Sequence, residues 1–286
     1  MSSKIRNIDP TFRGWTKPGP LPDLEQIQQV ELGEGETIDA LCGHYRIFQL
    51  RKGHRFSTDD ILTAWYGTSW CPSAGKALDL GSGLGTVAMM VAWRLPGVHV
   101  VGVEAQEVSV ALARKSQQYN GLSERWEIRP GDFRHESLSP TERFDLITGT
   151  PPYFPLDSGV TSEHPQKVAC RFEVRGDIAS YCEVAARHLA PGATFACVFP
   201  IRPEHQLARV EEAAAANGLT IVRRRAIELK EGEPALLSLF LMMRAEDLPE
   251  EMREQTWVEP PLVIRREDGS VHPEYAAVKL SFGFPP

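Results

Sequence analysis

The chain of 286 residues carries a formal net charge of −7, is 42% hydrophobic and 24% charged, and reads as a folded globular protein able to bury one large core. No run approaches the length of a membrane span, and the start Met1-Ser-Ser-Lys-Ile-Arg6 lacks the apolar stretch of a signal peptide, so a cytoplasmic protein is expected. Cys42, Cys71, Cys170, Cys182 and Cys197 form no Cys-x-x-Cys pair and the eight histidines show no ligand spacing, which argues against a disulfide framework and against a metal site.

Residues 1–36 hold Lys17-Pro-Gly-Pro-Leu-Pro22 and Gly33-Glu-Gly-Glu36 without a sustained apolar period, and are expected to form a flexible arm. A single domain over 37–286 is expected after it, with a lead-in at 37–70, a core at 71–244 and a C-terminal extension at 245–286. Tyr45 to Arg51 alternates as a strand, and Lys52-Gly-His-Arg55 makes a turn. A helix then opens near Phe56, with Ser57 or Thr58 as its cap and Asp59 and Asp60 in its first turn, where negative charge is favoured. The core predicts strand 77–80, helix 84–95, strand 99–104, helix 107–119, strand 126–129 and strand 144–149. After a loop from Leu156 to Val168 come helix 177–189, strand 193–199, helix 203–217 and strands 220–229 and 235–243. Repeated strand–helix units predict a parallel sheet, and the short Lys230-Glu-Gly-Glu-Pro link predicts an antiparallel hairpin at its end. Leu262 to Arg265 reads as one more strand, with a short helix within 269–278.

The chain is organised around Lys76-Ala-Leu-Asp-Leu-Gly-Ser-Gly-Leu-Gly85, a buried strand ending in Asp79 that runs into a glycine turn and a helix. Asp79, Gly81, Ser82 and Gly83 are the cofactor-binding residues expected here, since glycines permit unusual backbone angles and close approach of a ligand to the main chain. The following helix offers free N-terminal amides to the same crevice. About 20 residues on, the second strand ends in Glu104, where a carboxylate can accept from two ribose hydroxyls. This pairing fits a cofactor with a ribose and leaves a dinucleotide and S-adenosylmethionine both open.

A third stretch, Phe144-Asp-Leu-Ile-Thr-Gly-Thr-Pro-Pro-Tyr-Phe154, runs a strand into Thr150-Pro151-Pro152-Tyr153. It resembles the Asn/Asp-Pro-Pro-Tyr signature of methyltransferases that modify planar amino groups, with all three stretches in that family's order. Within those enzymes the chain is most similar, over roughly Tyr45 to Ala277, to the bacterial tRNA (adenine-N6)-methyltransferases that act on valine tRNA beside the anticodon. The resemblance implies an α/β, Rossmann-like class I fold with a seven-stranded, mostly parallel sheet carrying one antiparallel strand. It also implies S-adenosylmethionine as cofactor, RNA as partner, and a monomer or weak dimer.

By the same resemblance, Thr150 and the Pro151 carbonyl would accept the two hydrogens of the target amine as its lone pair is freed for attack, which stabilises the transition state. Tyr153 would stack on the planar substrate, with Phe154 behind it. Asp132 would meet the cofactor's adenine amine and Phe133 its neighbourhood, and Thr58 would lie at the methionine end; Asp132 and Thr58 read equally as local helix or turn caps. Arg171 would bind RNA phosphate or brace the loop. Threonine at position 150 departs from Asn or Asp, since a hydroxyl reaches less far and donates as well as accepts. A protein glutamine amide as substrate, or a non-catalytic cofactor-binding module, are the alternatives that departure leaves open. The net charge runs against nucleic acid, yet Leu50-Arg-Lys-Gly-His-Arg55, Arg223-Arg-Arg225 and Arg265-Arg266 are local basic clusters. Each reads either as part of a phosphate-binding groove, with Arg55 nearest the site, or as a solvated face paired to acids.

Overall fold

The computed structural model describes residues 11–284 apart from 13, 20, 136, 155–165, 167 and 169–171. Arg171 therefore lies outside the described residues. Ahead of the core, β1 (Thr11–Phe12) pairs antiparallel with β2 (Trp15–Thr16), and α1 (Leu24–Gln29) follows. The Lys17 carbonyl meets the His44 ring at 2.9 Å, and the Lys115 ammonium reaches the Glu31 carbonyl at 3.1 Å and the Glu36 carboxylate at 2.7 Å. An additional strand, β3 (Glu36–Ala40), forms a hairpin with β4 (Arg46–Leu50), pairing Ile38 with Phe48. No sequence pattern marks β3, because Glu36-Thr-Ile-Asp-Ala40 offers a single large apolar side chain and too short an alternation.

The core then alternates through α2 (Thr58–Trp70), β5 (Lys76–Leu80), α3 (Thr86–Arg94), β6 (His99–Glu104), α4 (Glu107–Tyr119), β7 (Trp126–Pro130) and β8 (Phe144–Gly149). It continues with α5 (Ile178–His188), β9 (Leu189–Pro200), α6 (His205–Ala216), β10 (Leu219–Glu228), β11 (Leu237–Arg244), β12 (Trp257–Val263) and α7 (Pro273–Leu280). The eight core strands form one sheet in the order β12-β10-β11-β9-β8-β5-β6-β7. All run parallel except β11, which is antiparallel to both β9 and β10. The expected mostly parallel sheet with one antiparallel strand is present, but it has eight strands where seven are expected. The extra one is β12, which starts five residues before the predicted strand and adds to the β10 edge with Arg223 beside Trp257.

Strands β5, β6, β8 and β9 are buried along most of their length because helices cover both faces. On one face α2, α3, α4 and α7 pack with the β3–β4 hairpin around Leu62, Met89, Leu112 and Tyr275. On the other, α5 and α6 pack Ile178, Tyr181, Val210 and Ala214 against Phe195 and Phe240. Strand β5 lies between β6 and β8, so the chain leaves it in opposite directions along the sheet. In such a sheet a ligand crevice opens beyond the C-terminal ends of the strands at that reversal.

Candidate active site

A cavity of about 690 Å³ occupies that crevice. One wall is the loop from Gly81 to Leu84, between β5 and α3. Gly81, Gly83 and Gly85 all have positive φ, at 61°, 54° and 79°. At Gly81 a Cβ would sit 2.4 Å from the Tyr181 hydroxyl of α5, so glycine is required by the protein's own packing. Gly83 differs. It lines the cavity, and a Cβ there would meet no atom within 4 Å, so its bare backbone faces open space. Ser82 also lines the cavity, with its buried hydroxyl unpartnered among the described residues. An exposed backbone cradle and an unanswered hydroxyl fit a polar cofactor laid along the loop.

Glu104, at the end of β6, is 6% exposed and fixes the geometry of this corner. Its Oε2 accepts the Gly83 amide at 2.8 Å and its Oε1 accepts the Gln106 amide at 2.7 Å. Burial raises its carboxyl pKa, while the amides of Gln106 and Gly83 and the nearby Arg175 charge oppose that rise. Each carboxylate oxygen keeps a second lone pair for a hydroxyl donor. Asp79 sits beneath the loop and is not part of the cavity lining; it accepts from the Thr148 hydroxyl at 2.8 Å. Burial, helped by the charges of Asp60 and Glu104, pushes its pKa up to about 7.

At the far side of the corner, Asp132 and Phe133 line the cavity just after β7. Asp132 is engaged by Arg134, whose guanidinium approaches to 2.6 Å and whose amide donates at 3.0 Å, and this holds the carboxyl below its usual range. A ligand amine at Asp132 shares that carboxylate with Arg134. Phe133 meets Tyr181 edge to face with ring centroids 4.6 Å apart.

The opposite wall is the run from Thr150 to Phe154, which leaves β8 directly into the cavity. Thr150 makes no hydrogen bond to the described residues, so its hydroxyl is available. Pro151 and Pro152 are buried behind it. The Tyr153 hydroxyl donates to Asp59 Oδ2 at 2.7 Å, and its ring stands edge-on to Phe199 at 5.9 Å. Phe154 lies 6.0 Å from Phe172, with which it also forms an isolated bridge.

Helix α2 supplies the floor. Ser57 is its cap, with the hydroxyl accepting from the Asp59 amide while Asp60 accepts the Ser57 amide at 2.8 Å, a capping box. The box turns Asp59 and Asp60 into the cavity, where burial pushes Asp60 up to about 7 and raises Asp59 as well. Thr58 stays outside the lining and faces Tyr275 of α7. Arg55 lines the mouth, with its guanidinium on Asp39 at 2.9 Å and Thr37 at 3.1 Å. The other basic clusters are paired to acids or backbone: Arg223, Arg224 and Arg225 to Glu259, Glu211 and Glu274, and Arg265 to the Gly269 carbonyl.

Three contributors carry no motif. Tyr181 lies on the buried stripe of an amphipathic helix, where any aromatic reads as core. Arg175 comes from a short 3-10 turn ahead of α5 and adds a cation to the lining. Gln166, nearly fully buried, accepts the His54 amide at 2.9 Å and donates to Ser109 at 3.1 Å, tying the turn before α2 to α4. Among the described residues no helix is long and apolar enough to cross a membrane, and no cluster of His, Cys, Asp and Glu is placed to hold a metal.

Residues 66–164 match the family model of the methyltransferase small domain. A Tolumonas auensis protein named tRNA1(Val) (adenine(37)-N6)-methyltransferase is 30% identical over 241 residues, covering 83% of this chain and 93% of its own length. A Vibrio cholerae protein of the same name is 27% identical, covering 76% of this chain and 83% of its own. Among solved structures, a predicted O-methyltransferase from Agrobacterium tumefaciens superposes with a TM-score of 0.58 at 18% identity, over 80% of this chain and 98% of that one, a likeness of fold. With that fold, that loop and a relative matched along nearly its whole length, this chain belongs to the S-adenosylmethionine-dependent class I methyltransferases, in the family of proteins named tRNA1(Val) (adenine(37)-N6)-methyltransferase.

Proposed function

We propose that this enzyme methylates the N6 amine of an adenosine in tRNA, at the position beside the anticodon that its relatives' names specify. The observation that carries the reading is the free Thr150 hydroxyl next to Pro151 on the cavity wall, with Tyr153 two residues further on. When bound, S-adenosylmethionine supplies an electrophilic methyl group on a sulfonium. Glu104 would accept from its ribose hydroxyls, the Gly81–Gly83 backbone and Ser82 would hold it along the loop, and Asp132 and Phe133 would bound its adenine.

Thr150 and the Pro151 carbonyl take the two amine hydrogens, so the nitrogen lone pair is released from the ring as the nitrogen becomes tetrahedral. Tyr153 and Phe154 give the base an aromatic face. Buried Pro151 and Pro152 keep water from behind the amine, and the proton leaves to solvent after transfer without a dedicated base. An unpaired loop base suits this cavity because it is presented without flipping from a duplex. Arg175 and Arg55 are the arginines of the lining, Arg55 paired with Asp39 at the mouth.

The test is nucleoside mass spectrometry of tRNA from cells with and without the gene, alongside transfer of labelled methyl to purified tRNA. Loss of N6-methyladenosine from one tRNA species on deletion is the expected result. Unchanged tRNA together with label appearing in protein overturns the reading.

A further inference from the structure

We propose that Asp59 is a positioning residue, one that acts on transfer through Tyr153 by fixing where its ring lies in the cavity; this rests on the reading that the substrate is a planar base. The two residues come from separate elements, the first turn of α2 and the loop leaving β8, and meet inside the cavity at 2.7 Å. Tyr153 is held at three points. Its hydroxyl is on Asp59, its ring edge on Phe199 at 5.9 Å with an interplanar angle of 87°, and its carbonyl accepts from Gln206 at 3.5 Å. Of the three, only the first bears on the far end of the ring, where it fixes the direction of the ring axis, while the edge-on Phe199 fixes rotation about that axis. A loop aromatic without that anchor keeps its freedom about the Cα–Cβ bond, and a stacked base inherits the spread.

The Asp59 side is rigid for reasons of its own. The Ser57–Asp60 capping box fixes the first turn of α2, so the Asp59 carboxylate is aimed by backbone and has no long flexible stem. It makes no other side-chain hydrogen bond among the described residues, so its half-buried carboxylate is committed to the phenol. Burial raises the phenol pKa of Tyr153, as does the adjoining Asp59 charge, which keeps the proton on the tyrosine and the hydrogen bond pointing one way. The pair therefore clamps the substrate loop to the helix that floors the cofactor cavity.

The experiment is a double-mutant cycle over Asp59→Ala and Tyr153→Phe, with Asp59→Asn as the conservative variant. It reads kcat on tRNA, affinity for S-adenosylhomocysteine by calorimetry, and phenol ionisation by ultraviolet difference titration. Each single variant is expected to lower kcat about tenfold, and the double variant no further than the worse single one, because both remove one hydrogen bond. Asp59→Asn, which keeps an acceptor oxygen, recovers most of the loss, while the phenol ionises at lower pH than in the wild type. Cofactor-product affinity stays within about threefold in all. Additive losses in kcat overturn the proposal. So does a tenfold or greater loss of affinity in Asp59→Ala with kcat retained, which would make Asp59 a contact of the cofactor. If wild type methylates no tRNA, the substrate reading fails, and thermal unfolding of the same four proteins then decides: additive losses of stability across the cycle refute the clamp.

Discussion

Replacing Glu104 by Gln removes one charge and changes almost nothing in shape, which makes it a sharp probe of the cofactor corner. In the structure the two carboxylate oxygens each accept a backbone amide, from Gly83 at 2.8 Å and from Gln106 at 2.7 Å. Glutamine has one acceptor oxygen, so whichever way its amide turns, one of those N–H groups faces another N–H. An unpaired donor in a site this buried costs about 1–3 kcal/mol. Burial already disfavours the Glu104 charge, so removing it returns part of that cost, and the free protein is expected near the low end, about 1 kcal/mol. For a chain of this length that is a fall in Tm of about 2 °C.

Affinity for the cofactor should suffer more. Charge-assisted hydrogen bonds to ribose hydroxyls are worth about 1.5–3 kcal/mol together, so Kd should rise roughly tenfold to 150-fold. Calorimetric titration with S-adenosylhomocysteine gives the second number and thermal unfolding of the free variant the first. A Tm that falls by a few degrees with Kd within twofold of wild type would reduce Glu104 to a brace for the glycine loop and remove it from the binding site.

Three further outcomes are expected. Thr150→Val, close to isosteric but unable to accept, should lower kcat by about tenfold to a thousandfold with cofactor affinity little changed, and Thr150→Asn should retain or raise it; wild-type turnover in the Val variant would leave the amine to Pro151 alone. Gly85→Ala would place a Cβ 2.1 Å from the fully buried Trp126 ring at a residue with φ of 79°, so stability should fall by about 2–4 kcal/mol, and an unfolding midpoint within 1 °C of wild type would contradict the packing. Asp79, raised from 3.8 to about 7 by folding, contributes stability that is fully present below about pH 4 and is lost as pH rises towards 7. Asp79→Asn, which keeps the acceptor for Thr148, should flatten the decline in urea midpoint between pH 5 and 8; an unaltered slope would mean that Asp79 is ionised in the native protein throughout.

The glycine loop, Glu104 and the Thr150–Phe154 run are legible in sequence because their chemistry depends on a few residues adjacent along the chain. A tight turn demands glycine locally, and a strand end places its last side chain at the crevice. The pairings that finish the site are not local. Asp59 and Tyr153 are 94 residues apart, and Asp59 by itself is indistinguishable from an ordinary helix-cap acid. Gly81 and Tyr181 depend on one another across 100 positions, and neither reports the other. The Arg223–Arg225 run illustrates the opposite failure. As a run of like charge it suggests a phosphate surface, while folding supplies each arginine with a carboxylate from a different segment. Strand β12 escapes a seven-strand expectation for a similar reason: Glu259, Pro260 and Pro261 interrupt its apolar pattern, and its pairing with β10 is made by backbone groups that any residue but proline supplies.

That interruption has a consequence for how copies of the protein behave towards one another. Strand β12 is the outer boundary of the sheet, and Trp257 and Val258 on it are 65% and 59% exposed. An apolar, straight boundary strand is a template on which a neighbouring chain can continue the sheet. Here the two consecutive prolines delete two amide donors from the middle of a seven-residue strand, and the register slips between Arg225 and Ile227 where they lie. An incoming strand finds too few donors in phase to hold on. The sheet ends at β12 by its own covalent chemistry, and the exposed tryptophan beside it is left to contact side chains, not backbone.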